Sequence, residues 1–242
     1  MLKSDVSRQV TAFIENIPED QWAVYECVLN RLARTRIPFA LGGAIAYAGY
    51  TGRMRNTKDL DIYVTPEHRD AAVACLSACG LIDYFDELPY DRKWIYRGKK
   101  RDAIMDVIFA MANGRSEVTA DWLQRGPVVE GRGHKLRIIP PEELIWSKLY
   151  VVQRERCDWP DILNVVHSAG TSLDWDRLLK LLEDDRPLLR SLLSMYSWIT
   201  QEGAARLPHS LWERLELPVP DQQDRTERMH LLDTRPWFGK AA

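Results

Sequence analysis

Two aspartates one residue apart, Asp59 and Asp61, stand in an apolar run that otherwise reads as a strand over residues 60–64. On a strand, residues i and i+2 share a face, so both carboxylates point the same way. Side by side they repel, and a plain packing role suits them poorly. A divalent cation between them relieves the repulsion, and hard cations such as Mg²⁺ prefer oxygen ligands. Upstream, the apolar run 37–41 stops at Gly42 and Gly43, and small residues follow over 44–50. A glycine pair lets the backbone approach a ligand closely and can offer N–H groups to a phosphate at a helix N-terminus. Arg55 and Lys58 lie between the two runs; their charge can meet phosphates or balance the aspartates. Phosphate donors beside metal-binding carboxylates point to chemistry on a nucleotide.

A third carboxylate suits such a site, and Asp106 is the candidate. It sits in Ile104-Met105-Asp106-Val107-Ile108-Phe109, a strand too apolar to bury a charge that is neither paired nor metal-bound. Asp102, four residues earlier, shares its face on a regular strand but lies nearer the turn. Trp94 and Tyr96, on the preceding strand, could flank a base or an acceptor, but core packing is the favoured use.

In the second half, Lys148 falls at helical spacing inside the apolar arc of Leu144, Ile145, Leu149, Val151 and Val152, while Glu142 and Glu143 lie largely away from it. Such a lysine either snorkels from the edge of a buried face or aims its ammonium at a triphosphate. Downstream, Asp158 and Asp161 suit the N-cap and first turn of a following helix.

The 242 residues allow one large domain or two small ones, with 45% apolar residues for a core. A net charge of −2 argues against a protein that coats nucleic acid, though not against a local basic patch. Cys27, Cys75, Cys79 and Cys157 show no paired C-x-x-C spacing; Cys75 and Cys79, one helical turn apart, read as reduced core residues, with a metal site including His68 as the lesser alternative. The five histidines form no metal-protease motif, and neither G-x-S-x-G nor a Walker-type phosphate loop occurs. The N-terminus lacks the apolar core of a signal peptide and no run approaches membrane-spanning length, so the chain reads as soluble and cytoplasmic, without a membrane partner.

Along the chain, helices are expected over 3–16 and 19–35, a strand over 37–41, a helix over 44–50, the Asp-bearing strand, and a helix from Pro66 closed by Gly80. Strands over 92–97 and 101–110 form a hairpin with its turn at Gly98-Lys99-Lys100, and a helix near 116–124 precedes a hairpin over 127–139. Helices then cover 141–156, 159–169, 174–184 and 187–203. The layout is α+β: a mixed α/β domain over 1–140, a helical domain over 141–217, and a tail over 218–242.

The Gly-Gly after a strand, followed by Asp-x-Asp on the next, resembles the nucleotidyltransferase superfamily that includes DNA polymerase beta. The fuller form, G-G-A-I-A with R-N-T-K-D-L-D-I-Y-V, looks like small bacterial members: aminoglycoside nucleotidyltransferases and the toxins of abortive-infection systems. The resemblance implies a small core sheet flanked by helices, then a helical domain. It implies two Mg²⁺ ions, or Mn²⁺, on Asp59, Asp61 and Asp106. The helix of Lys148 looks like the Lys-bearing helix of the toxin-type enzymes, followed there by R-x-K-D-x-x-D. Here that piece reads E-R-C-D-W-P-D: Asp158 and Asp161 match, while Glu155 and Cys157 stand where Arg and Lys belong, which weakens transfer of a catalytic role to Asp161.

The expected function is transfer of NMP from an NTP to an acceptor hydroxyl with release of pyrophosphate, with Gly42, Gly43, Arg55, Lys58, Lys148 and Asp161 on the nucleotide. The acceptor, a small molecule such as an antibiotic, a protein or an RNA end, is not readable, and near-neutral charge favours the first two. A toxin-like role would bring an antitoxin partner. The rivals are a catalytically inactive nucleotide-binding module of the same fold and a metal-dependent phosphohydrolase.

Overall fold

The computed structural model describes residues 3–54, 59–153 and 156–231. The chain is α+β and falls into two compact units that divide between Pro140 and Pro141.

The first unit begins with α1 (Lys3–Glu15) and α2 (Glu19–Thr35), followed by β1 (Ala40–Leu41), α3 (Gly43–Thr51), β2 (Asp59–Tyr63), α4 (Arg69–Ala78), β3 (Ile82–Asp83), β4 (Ile95–Lys100), β5 (Ala103–Ile108), α5 (Ala120–Gln124), β6 (Val128–Gly131) and β7 (His134–Arg137). Five strands form one sheet in the order β1-β2-β5-β4-β3, with β6 and β7 a separate hairpin. β2 and β5 run parallel and the other neighbours antiparallel. Alternation along β2 and β5 divides the sheet. Leu60, Ile62, Met105 and Val107 are almost fully buried, on the face where α4 packs. Asp59, Asp61 and Asp106 belong to the opposite face.

Two expectations need correction in this unit. The turn between β4 and β5 is at Arg101-Asp102, with Arg101 at φ 54°, not at Gly98-Lys99-Lys100. Gly98 lies inside β4 because the sheet meets α4 closely there: a Cβ would come within 3.0 Å of Leu76 Cδ2 and 3.3 Å of Leu81 Cβ. The glycine marks a close approach rather than a bend. The second concerns the cysteines. Cys27 on α2 and Cys79 just after α4 form a disulfide, Cα–Cα 6.0 Å, while Cys75 and Cys157 are free. Only Cys75 is the buried thiol expected of a reduced core residue. His68 Nδ1 pairs with Thr65 Oγ1 at 2.7 Å, so the alternative metal site is not assembled. Among the described residues no helix is long and apolar enough to cross a membrane.

The second unit contains α6 (Pro141–Leu149), α7 (Trp159–Ala169), α8 (Trp175–Leu182), α9 (Arg186–Ile199), α10 (Gln201–Ala205) and α11 (His209–Arg214). α6 stops seven residues short of the expected end at 156. The chain turns back instead, with Gln153 N–H donating to the Arg156 carbonyl at 2.7 Å and Asp158 N–H to the Val151 carbonyl at 2.9 Å. The Trp159 indole then donates to the Leu149 carbonyl at 3.1 Å, covering the helix end. Glu142 and Glu143, expected away from the packed arc, are buried. Glu142 Oε1 accepts from Asp174 N–H at 2.8 Å, and Glu143 Oε1 accepts from Arg177. α6 packs on both α7 and α8, so its polar side is covered as well. Part of the expected tail is attached: Arg228 N–H donates to the Ile199 carbonyl at 2.9 Å. Trp237 and Phe238 of that tail lie outside the described residues.

His167, on α7, meets the Tyr196 hydroxyl at 3.1 Å. Burial, with Arg206 nearby, lowers its pKa from 6.5 to about 4. Neutral His167 is therefore favoured in the fold, and its contribution is complete above pH 6.5 and lost as pH falls through about 4. Thermal melts across that window should show the midpoint of His167→Asn falling less steeply than that of the unaltered chain; parallel curves would remove His167 as the titrating group.

Candidate active site

β2 places Asp59, Asp61 and Tyr63 on one face. The register puts Asp61 opposite Asp106 and Asp59 opposite Ile104. In a parallel pair, opposed residues share a face, so the three candidate carboxylates lie on one face of the sheet. Asp102 does not join them; it lies in the turn after β4 and is exposed.

The glycine pair belongs to the same construction. Gly42 N–H donates to the Asp61 carbonyl at 3.0 Å, so the amide expected to face a phosphate instead ties β1 to β2. A Cβ on Gly42 would overlap the Tyr63 ring, which stacks on Trp122 with centroids 5.6 Å apart. Gly43 has φ +49°, and a Cβ there would overlap Asp61 Oδ2. The Asp61 carboxylate thus lies against the first residue of α3, whose first-turn amides have no carbonyl partner within the helix. Gly43→Ala should cost about 1–3 kcal/mol from left-handed backbone strain and dislodge Asp61. A denaturation midpoint equal to that of the original chain would count against this.

Arg97 carries no local signal of its role in the sequence. On β4 it lies opposite Asp106. Its Nε donates to Asp106 Oδ1 at 2.7 Å and its Nη2 to Oδ2 at 2.5 Å, and Nη2 is 3.8 Å from Asp59 Oδ2. The Asp106 side chain is 2% exposed, and a bidentate guanidinium is what makes its charge tolerable there. The hydrogen bond to Asp106 raises the Arg97 pKa, with Asp59 and Asp61 adding to it. Burial raises the Tyr25 hydroxyl pKa, and the charges of Asp59, Asp61 and Asp106 push it the same way, placing this α2 residue within the field of the carboxylates.

Three carboxylates on neighbouring strands are the right donors for a hard divalent cation. Among the described residues, however, no group of three or more His, Cys, Asp or Glu is gathered into a metal-holding cluster; both Asp106 oxygens face Arg97. Arg55 and Lys58 lie outside the described residues.

Lys148 is in the helical unit. Its side chain is 8% exposed and donates to Asp158 Oδ2 at 2.6 Å and Asp161 Oδ2 at 2.8 Å. Asp158 also accepts from Arg156 Nε at 2.9 Å and Nη2 at 3.0 Å. Burial works against the Asp158 charge, but Arg156 and Lys148 outweigh it and hold the pKa below the usual carboxylate value. Asp158 occupies the N-cap position of α7 without a side-chain cap bond, because its oxygens serve these two cations. The snorkelling alternative for Lys148 does not describe this buried ion cluster.

No protein-family model matches the chain, and no curated protein matches it. Solved structures do. The antibiotic-resistance factor ANT(2'')-Ia is 21% identical, with 74% of this chain and 98% of that chain covered, at a TM-score of 0.49. A structure of ANT(2'')-Ia in complex with adenylyl-2''-tobramycin is 20% identical over 73% of this chain and 99% of that one, also at 0.49. The lincosamide antibiotic adenylyltransferase LnuA is 18% identical, covering 62% and 97%, at 0.43. Likeness at this level carries no residue role over to this chain.

Proposed function

We propose that the chain is a metal-dependent nucleotidyltransferase that moves NMP from an NTP to an acceptor hydroxyl and releases pyrophosphate. The observation that supports this best is the register of β2 and β5: Asp61 faces Asp106, Asp59 lies two residues away on the same face, and the start of α3 meets Asp61.

In this reading Asp59, Asp61 and Asp106 hold the cation. Mg²⁺ there, or Mn²⁺ in its place, would supply Lewis-acid stabilisation of the phosphates and a more acidic acceptor hydroxyl. The chain's own groups do the rest. Gly43 and the first-turn amides of α3 orient phosphate oxygens. A carboxylate oxygen of Asp106 takes the acceptor's proton as its oxygen bonds to the α-phosphorus and the bond to pyrophosphate breaks. Arg55, Lys58 and Lys148 are the proposed counter-charges for the triphosphate, with Asp161 beside Lys148; Lys148 must loosen from its two aspartates to serve.

The test is incubation with each α-labelled NTP and Mg²⁺, in separate arms with an aminoglycoside, a lincosamide and a cell extract, beside Asp59→Ala/Asp61→Ala. Transfer is expected with the original chain and should be abolished in the double variant; transfer that persists in the variant sinks the assigned site. The extract arm covers protein and RNA acceptors, and with them the toxin-like role and its antitoxin. Net charge near zero favours a small molecule or protein. One observation favours the inactive-module reading: Arg97 engages both Asp106 oxygens. NTP binding without transfer in any arm would support it.

A further inference from the structure

Arg97 stands where a cation is needed, and it is itself one. It meets both oxygens of Asp106, at 2.7 and 2.5 Å, and one of its nitrogens lies 3.8 Å from Asp59 Oδ2. This contact set overlaps the one assigned to the divalent ion. The guanidinium is fixed in position because β4 pairs with β5 so that Arg97 and Asp106 are directly opposed, and the Arg97 side chain is only 21% exposed. A guanidinium fork and a divalent ion cannot both take the same two carboxylate oxygens at full strength, since each needs the lone pairs the other uses.

Resting on the reading of Asp59, Asp61 and Asp106 as a cation site, we propose that Arg97 is a positioning residue that competes with the divalent cation for Asp106. It balances the three carboxylates and keeps Asp106 aligned on β5. It also weakens uptake of the ion, because binding must turn the guanidinium away from at least one oxygen and bring like charges together. Asp106 then joins the ion only as Arg97 yields.

The experiment uses the full chain, as Arg97→Gln, Arg97→Lys, Asp59→Ala/Asp61→Ala and the original sequence. Each is titrated with Mn²⁺ alone, following loss of the free-ion EPR signal, and melted with and without Mn²⁺. Arg97→Gln should bind Mn²⁺ about tenfold more tightly or better, as expected when a full charge a few ångströms away is removed. Its melting midpoint without Mn²⁺ should fall, and Mn²⁺ should raise it by more than in the original chain. Arg97→Lys, a point charge that cannot span both oxygens, should fall between the two, and it carries the comparison if Arg97→Gln does not fold. Affinity in both Arg97 variants equal to or weaker than the original, with binding lost in the double aspartate variant, overturns the competition while leaving the cation site standing. Absence of Mn²⁺ uptake by every protein, the Arg97 variants included, overturns the cation site and the competition together.

Discussion

Asp106→Asn is expected to be the most damaging single substitution in the first unit. It leaves the Arg97 guanidinium opposite a neutral amide. Removing one partner of a buried ion pair typically costs about 3–5 kcal/mol, because the remaining charge stays desolvated. Arg97 is 21% exposed and Asp59 lies 3.8 Å from Nη2, so the lower end of that range is expected. If the proposed role is right, nucleotidyl transfer should fall by roughly 10²–10⁴-fold from loss of the proton acceptor alone. Urea denaturation checks the first effect and single-turnover labelling the second. An unchanged denaturation midpoint would mean that Asp59 alone can balance Arg97. Unchanged transfer by a folded variant would remove Asp106 from the chemistry.

Lys148→Met should be comparably severe in the helical unit, on the order of 3–5 kcal/mol. It strips the ammonium from Asp158, whose side chain is 5% exposed, and from Asp161, at 14%. Arg156 still binds Asp158, and Lys148→Met/Asp161→Asn should recover part of the loss. In the original chain the depressed Asp158 pKa contributes stability that is complete above the ordinary carboxylate value of about 3.9. That contribution fades as pH falls through the lower folded value, and in Lys148→Met it should fade at higher pH. Equal stability of Lys148→Met and the original chain in denaturation would show that the cluster is not structural, which would return Lys148 to a role on the nucleotide.

The α+β layout, the common face of Asp59 and Asp61, and Asp106 as a third carboxylate were legible from the sequence; that Asp106 shares their face follows only from the pairing of β2 with β5. Period-two spacing fixes the common face, and an apolar strand singles out an aspartate that must be compensated. Arg97 was not legible because its importance depends on register. With the turn at Gly98, Arg97 is the last residue of a strand; with the turn at Arg101-Asp102 it faces Asp106. Gly98 misled because a glycine demanded by α4 looks, in sequence, like one demanded by a turn. The partners of Lys148 were visible as aspartates but not as its partners. Only the return of the chain after Leu149 brings Asp158 within 2.6 Å, and helical periodicity carries no sign of such a reversal. The disulfide was hidden for a related reason: Cys27 and Cys79 are separated by 52 positions, and nothing local to either names the other.

That disulfide makes part of the chain a covalent ring. The glycine pair, Asp59 and Asp61 lie inside it, while Arg97 and Asp106 lie outside. A single cut between Cys27 and Cys79 therefore leaves one connected molecule, and a cut between Cys79 and Asp106 divides the candidate site into separable pieces. Once closed, the ring also restricts the unfolded chain. In the chain-entropy picture, closing a loop of this length removes on the order of 4 kcal/mol of freedom from the unfolded chain. In the oxidised unfolded chain two of the three carboxylates are thus confined to a small region of the polymer, and only the one opposite Arg97 must be recruited from beyond it.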